Sequence, residues 1–392
     1  MIISRTPYRL SFFGGGTDYP DWYRQHGGAV LATTIDKYCY LTCRYLPPFF
    51  EHRHRVVWSK VENCMSLEEV EHPVVRALIE YLDFQRGLEV HHVGDLPARS
   101  GMGTSSSFTV GLLHAMHALE GRMVDKRQLM EEAIHVEQKL LGECVGSQDQ
   151  ASAAMGGFNR IAFHRSGHID VSPILLSNSR LDELDSHLML FYTGLVRNAS
   201  QIAESYVTDI ATKRRKLRLM AGLVDESIDL LSRSMPIEDF GELLDETWRL
   251  KRSLSSKISN DDVDSLYARA REAGAIGGKL AGAGGGGFLT LFVPPTRQRE
   301  MVSALQELVH VPFRFENAGS KIVYFEREED FSFAEAERAD RHIRPFRELE
   351  ISEQNEPERV IPALPSRRSS PPSPSKSDSS LDPSLDLPLP KP

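Results

Sequence analysis

Two spacings of apolar residues take turns along this 392-residue chain, in no regular order. AVLATTIDKYCYLTCRYL and HRVVWSKVE alternate with period two and predict strands. HPVVRALIEYLDF, SFTVGLLHAMHALEG and VDKRQLMEEAIHVEQKLLGE carry the three-and-four spacing of amphipathic helices. Beyond residue 180, HLMLFYTGL predicts a strand, followed by long helical stretches over roughly 198–235 and 237–256. DVDSLYARAREAGA predicts a further helix leading to a glycine cluster and the strand FLTLFVPP. A helix around RQREMVSALQELV and a last strand, SKIVYFERE, complete the series. A doubly wound sheet would repeat strand and helix in step; this order does not, so the predicted class is α+β. The turn-rich stretch across 165–185 marks a boundary, giving expected domains at 1–175 and 176–348. Residues 349–392 are expected to be a disordered tail. The last 32 contain nine Pro and nine Ser, too little apolar surface to offset ordering entropy.

Composition narrows the partners. With 46 basic and 55 acidic residues the formal charge is −9, so no global field draws nucleic acid or an anionic membrane. No apolar run approaches a bilayer span, and the opening MIISRTPYRLSFFGGG turns polar too soon for a signal peptide. A cytoplasmic protein is expected. Cys39 and Cys43 fall on one face of a predicted strand and read as buried thiols.

Three glycine-rich stretches carry the candidate chemistry. In SGMGTSSSFTVGLLHAMHAL, Phe108, Leu112, Met116 and Leu119 share a helix face. Gly101 and Gly103 allow tight backbone geometry ahead of it, and Thr104, Ser105 and Ser106 offer hydroxyls. Free amides at such a helix start favour phosphate; the alternative is an ordinary glycine-containing N-cap. The second cluster, KLAGAGGGGFLTLF, formally contains G-x-G-x-x-G, but a helix precedes it and a strand follows. That inverts the dinucleotide-binding context. A backbone so bare must lie against a ligand or another loop. In the third, FFGGGTDYPDW, Asp18 either caps a short helix or meets a substrate. Glu137 lies on an apolar stripe with Met130, Ile134 and Leu141, where a carboxylate is costly unless paired or metal-bound. Asp149, in GSQDQASAAMGGF, is set among small residues that let another molecule approach, or is simply a first-turn aspartate.

RTPYRLSFFGGGTDYPDW, LPARSGMGTSSSFTVGLL and KLAGAGGGGFLTLF, in that order with SQDQ between the last two, resemble the GHMP kinase family over about residues 1–345. The resemblance implies an α+β fold with an amino-terminal domain like the second domain of ribosomal protein S5 and a ferredoxin-like carboxy-terminal domain. It implies ATP-dependent phosphorylation of a small molecule. The sugar-1-kinase subgroup fits best, with the anomeric hydroxyl of D-glycero-α-D-manno-heptose 7-phosphate as the expected acceptor. Alternatives are an unphosphorylated sugar such as L-fucose, or a non-catalytic GHMP-like regulatory module. Carried over by position, Ser100, Gly101, Met102, Gly103, Thr104, Ser105 and Ser106 would wrap the nucleotide's phosphates. Ser105 and Glu137 would hold Mg²⁺, Asp149 would deprotonate the acceptor hydroxyl, and Arg9 would stabilise charge on the transferring group. Gly16, Thr17, Asp18, Gly157, Arg197, Gly285 and Gly286 would contact substrate. Arg53 and Arg55 are further candidates for a distal phosphate, and Lys251 a weaker one. ATP and a sugar phosphate are the expected partners, without nucleic acid or membrane, and homodimerisation is left open.

Overall fold

A computed structural model of the chain describes residues 1–47, 49–195, 210–233, 235–327, 331 and 333. Two long apolar-alternating strands, β1 (Ile2–Phe13) and β2 (Gly28–Tyr45), pair antiparallel and form the spine of a nine-stranded sheet. A bulge between Pro7 and Tyr8 leaves Asp36 and Lys37 of β2 out of register, just before Arg9. Bulges of this kind re-aim side chains beside functional sites. The run HRVVWSKVE is a hairpin of β3 (His54–Val57) and β4 (Val61–Cys64) rather than one strand; β3 pairs parallel with β5 (Leu88–Gly94), which joins β2.

Helix α1 (Pro20–His26) follows the first glycine loop, and α2 (Pro73–Tyr81) precedes β5. Helix α3 (Thr104–Leu119) lies on β1 and β2 and is buried on nearly every side, not on one face only. Gly111 permits this: a Cβ there would meet Thr6 Oγ1 at 2.8 Å and Leu41 Cδ1 at 3.1 Å. Helix α4 (Lys126–His135) passes into a π-helical turn, Val136–Leu140, and α5 (Gln148–Met155) then leads to β6 (Phe158–Phe163).

The turn-rich stretch turns out to hold ordered elements. His164–His168 is the turn of a hairpin joining β6 to β7 (Ile169–Pro173). Next, α6 (Asn178–Ser186) starts at Ser177, whose side chain accepts from the Arg180 amide. A second, four-stranded sheet has the order β11-β8-β10-β9, from β8 (Leu188–Tyr192), β9 (Gly277–Leu280), β10 (Phe288–Phe292) and β11 (Val309–His310). The long helices α7 (Ile210–Ser232) and α8 (Glu238–Arg252) pack on each other, and α8 packs on β9; α9 (Asp261–Glu272) and α10 (Gln298–Ala304) complete this half. Phe240 of α8 joins the halves, with its ring edge-on to Phe12 (5.6 Å) and Phe13 (5.1 Å) of β1. The chain then returns: β12 (Phe315–Glu316) pairs with β2, and β13 (Lys321–Phe325) with β1. Both lie in the segment expected to form the second domain. Residues Met1–Arg347 pack as one compact unit. The expected tail, 349–392, lies outside the described residues.

Candidate active site

A cavity of about 370 Å³ opens where β1, the start of α3 and the glycine loop before β10 converge. Gly101 and Gly103 bring the backbone into α3 through left-handed turns (φ +82° and +73°), which side-chain-bearing residues rarely adopt. No side chain caps α3; Thr104 Oγ1 instead accepts from the Arg99 amide (3.3 Å). The first-turn amides therefore stand beside the cavity without side-chain partners, as an anion site requires.

Arg9, 3 % exposed, ties three elements together. Its Nε and Nη2 donate to Asp149 Oδ1 and Oδ2 (both 2.7 Å), and Nη1 donates to the Gly101 carbonyl (2.6 Å). Asp149, in the first turn of α5, keeps a quarter of its side chain open to solvent. A Cβ on Gly103 would meet Arg9 Cγ at 3.2 Å and Asp149 Oδ2 at 3.5 Å, so the pair fits tightly under the loop. Asp18 is buried; the Gly16 amide donates to its Oδ1 (2.9 Å). Burial, helped by the charge of Asp149, raises its pKa above the usual carboxylate range.

Glu137 sits in the π-helical turn and is wholly buried at the cavity wall. Ser106 Oγ (2.9 Å) and Gln150 Nε2 both donate to its Oε2, whereas Oε1 has no hydrogen-bond partner. Burial pushes its carboxyl up to about 7, against the hydrogen bonds it accepts. Among the described residues there is no cluster of three or more His, Cys, Asp or Glu able to hold a metal. One orphaned carboxylate oxygen beside two hydroxyls suits Mg²⁺ bound mainly through ligand phosphates and water. The exposed Ser105 lines the cavity, but the hydroxyl on Glu137 is that of Ser106.

Several expected contacts lie elsewhere. Ser100 and Met102 are buried behind the loop, their carbonyls accepting from Phe288 N (3.2 Å) and Arg9 N (3.1 Å). Thr17 turns its hydroxyl inward onto the Gly14 and Ala29 carbonyls (2.8 and 2.9 Å), closing the first glycine turn. Gly157 is bound to Thr34 and Glu316. Gly285 donates its amide to Ile258 O (2.8 Å), and a Cβ on Gly286 would meet Leu195 O at 2.4 Å. None of these lines the cavity. The bare backbone of the glycine loop before β10 lies against the loop before α3: a Cβ on Gly282 would come within 2.6 Å of Gly101 Cα. Gly282 and Ala283 consequently reach the cavity, and Gly285 and Gly286 do not. Arg53 and Arg55 are not on its wall, and Arg197 lies outside the described residues. Two cations were underread: Lys251 of α8 and Lys279 of β9 both line the cavity and are 5 % and 3 % exposed. The signal for Lys279 was a charged residue inside GGKLAGAGGGG, a stretch otherwise too small to screen it.

The family model for the GHMP kinases N-terminal domain matches residues 70–157, and that for the GHMP kinases C-terminal domain matches 228–311. This chain is a GHMP kinase. The kinase is 28 % identical over 318 residues to the D-glycero-alpha-D-manno-heptose 7-phosphate kinase of Campylobacter jejuni, covering 78 % of this chain and 93 % of that protein. It is 30 % identical over 328 residues to the L-fucokinase/L-fucose-1-P guanylyltransferase of Bacteroides fragilis, covering 74 % of this chain but 34 % of that longer protein. Its fold superposes on a D-glycero-D-manno-heptose 1-phosphate kinase from Bacteroides thetaiotaomicron with a TM-score of 0.69 at 25 % identity, covering 83 % of this chain and all of the other. The GHMP fold thus spans both sheets, and the enzyme is an ATP-dependent kinase. No helix among the described residues is long and apolar enough to cross a membrane.

Proposed function

We propose that this kinase transfers the γ-phosphoryl group of ATP to the anomeric hydroxyl of a sugar, with D-glycero-α-D-manno-heptose 7-phosphate as acceptor and the 1,7-bisphosphate as product. The observation that carries the reading is the Asp149–Arg9–Gly101 link, which sets a partly open carboxylate beside the uncapped start of α3. Phosphoryl transfer asks chiefly for positioning and charge neutralisation. The α3 amides and the Gly101–Ser106 loop bind the phosphates. Asp149 orients the acceptor hydroxyl and takes its proton. Arg9 fixes that carboxylate and faces the charge that develops during transfer. Asp18 and Gly16 bind sugar hydroxyls. Glu137 with Ser105 and Ser106 would hold Mg²⁺, which neutralises phosphate charge when bound. The cytoplasm, with its ATP supply, is the proposed compartment of the reaction.

A kinase acting on an unphosphorylated sugar is the second reading, favoured by the likeness to the L-fucokinase. A screen of heptose 7-phosphate against L-fucose and related free sugars, read by ATP consumption, tests both. A new anomeric phosphorus resonance from heptose 7-phosphate is expected; turnover confined to free sugars would transfer the assignment to the second reading.

A further inference from the structure

The phosphate loop contains no lysine, and two lysines from the other half of the fold stand on the same cavity wall. Lys251, in the last turn of α8, donates from Nζ to the Gly282 carbonyl. Lys279, on β9, donates to the carbonyls of Ser11 (2.6 Å) and Phe12 (3.2 Å). Among the described residues neither has a carboxylate as an ion-pair partner. Asp18 and Asp149 on the same cavity wall favour the charged lysines only from a distance, and two nearly buried ammonium groups without a direct ion pair are unfavourable unless an anion joins them. Both pKa values bear the mark of this. Burial, with repulsion from Arg9, pulls Lys251 down to about 8, and burial with repulsion from Lys251 and Arg9 pulls Lys279 well below the usual lysine range.

The position of Lys251 narrows the choice of anion. Its anchor, Gly282, lies backbone to backbone against Gly101, and the Gly101 carbonyl receives Arg9 Nη1. Lys279 already spends two donors on β1, whereas Lys251 is known to spend one. Building on the kinase reading above, we infer that Lys251 binds the γ-phosphoryl group of the nucleotide and stands in for the lysine that the loop lacks. Its ammonium reaches the loop from α8 through the contact between Gly282 and Gly101.

The test is calorimetric titration of the full-length protein with Mg²⁺ and either ADP or the imido analogue of ATP. A charge-assisted contact to the γ-phosphoryl is worth about a tenfold or greater change in affinity. Lys251→Gln, which retains a donor for Gly282, is expected to weaken the ATP analogue by about tenfold or more while ADP stays within about threefold. Lys251→Arg should recover part of the loss. Equal weakening of both nucleotides would overturn the inference, because it would mean that Lys251 only braces the loop. Unchanged affinity for both would overturn it too, as would a rise confined to the KM of the sugar phosphate, which would hand Lys251 to the acceptor. Should Lys251→Gln not fold, Lys251→Met, which keeps the length of the side chain without its charge, carries the same comparison. A wild-type protein that bound neither nucleotide would instead defeat the kinase reading itself.

Discussion

Glu137 is poorly suited to its surroundings as a free residue. Its carboxyl, pushed up to about 7 by burial, holds a proton in the folded chain that the unfolded chain releases near its ordinary value. The stability from this group is therefore complete below the ordinary carboxylate range and fades as pH rises through about 7, by something on the order of 3 kcal/mol. We expect the melting temperature of the metal-free protein to fall between pH 5 and 8, with Glu137→Gln flattening part of that fall. Mg²⁺ with ADP should raise the melting temperature more at pH 8 than at pH 6 in the wild type, and Glu137→Gln should abolish the difference. Asp149→Asn is expected to lower kcat by about 10²–10⁴-fold while the ATP analogue binds within a few-fold of wild type. Turnover near wild type would remove Asp149 from the reaction. The sequence singled out Glu137 because a carboxylate broke an apolar stripe, and Asp149 because small residues surrounded it. It could not tell Ser105 from Ser106. Neighbouring first-turn residues differ by about 100° around a helix, and only the packing of α3 decides which hydroxyl meets Glu137.

Among the elements, long periodic ones were legible and short ones were not. β2, α2, α3 and α8 follow from alternation or helical spacing, whereas β1 was not among the predicted strands. The π-helical turn after α4 does not, since its extra residue per turn answers to the site it serves and not to local propensity. The β6–β7 hairpin and α6 were hidden under turn-forming residues, and only the Ser177 cap announced the helix. The glycine loops were legible as places of close approach, but not as a pair pressed together. That pairing makes a prediction. Gly282→Ala would place a methyl 2.6 Å from Gly101 Cα at a residue with φ +65°. A left-handed residue with a side chain costs about 1–2 kcal/mol before any clash is counted. We expect a melting point lower by several degrees and weakened binding of the ATP analogue, measured by calorimetric titration. An alanine substitution at Gly121, where an added Cβ has open space, is the control for backbone strain alone, since its φ is +71°.

For the whole molecule, the α+β class and the two sheets were foreseeable, and the return of the chain was not. Strand SKIVYFERE was visible as a strand, yet nothing in its alternation says which sheet it joins. Its partner is β1, through pairs from Ile2–Phe325 to Arg5–Lys321. A fragment of residues 1–175 would lack β12 and β13 and leave β1 as an open edge. It is expected to be insoluble or to lack a cooperative melting transition, whereas a chain ending after residue 347 should melt like the full-length protein. During synthesis the same topology sets a waiting time. The strand that shields residue 2 is written more than 300 codons after it. For that interval the nascent sheet carries a bare flank, an opening for mispairing with another growing chain. Translation speed over the second half of the message should thus govern how much of this kinase is recovered soluble.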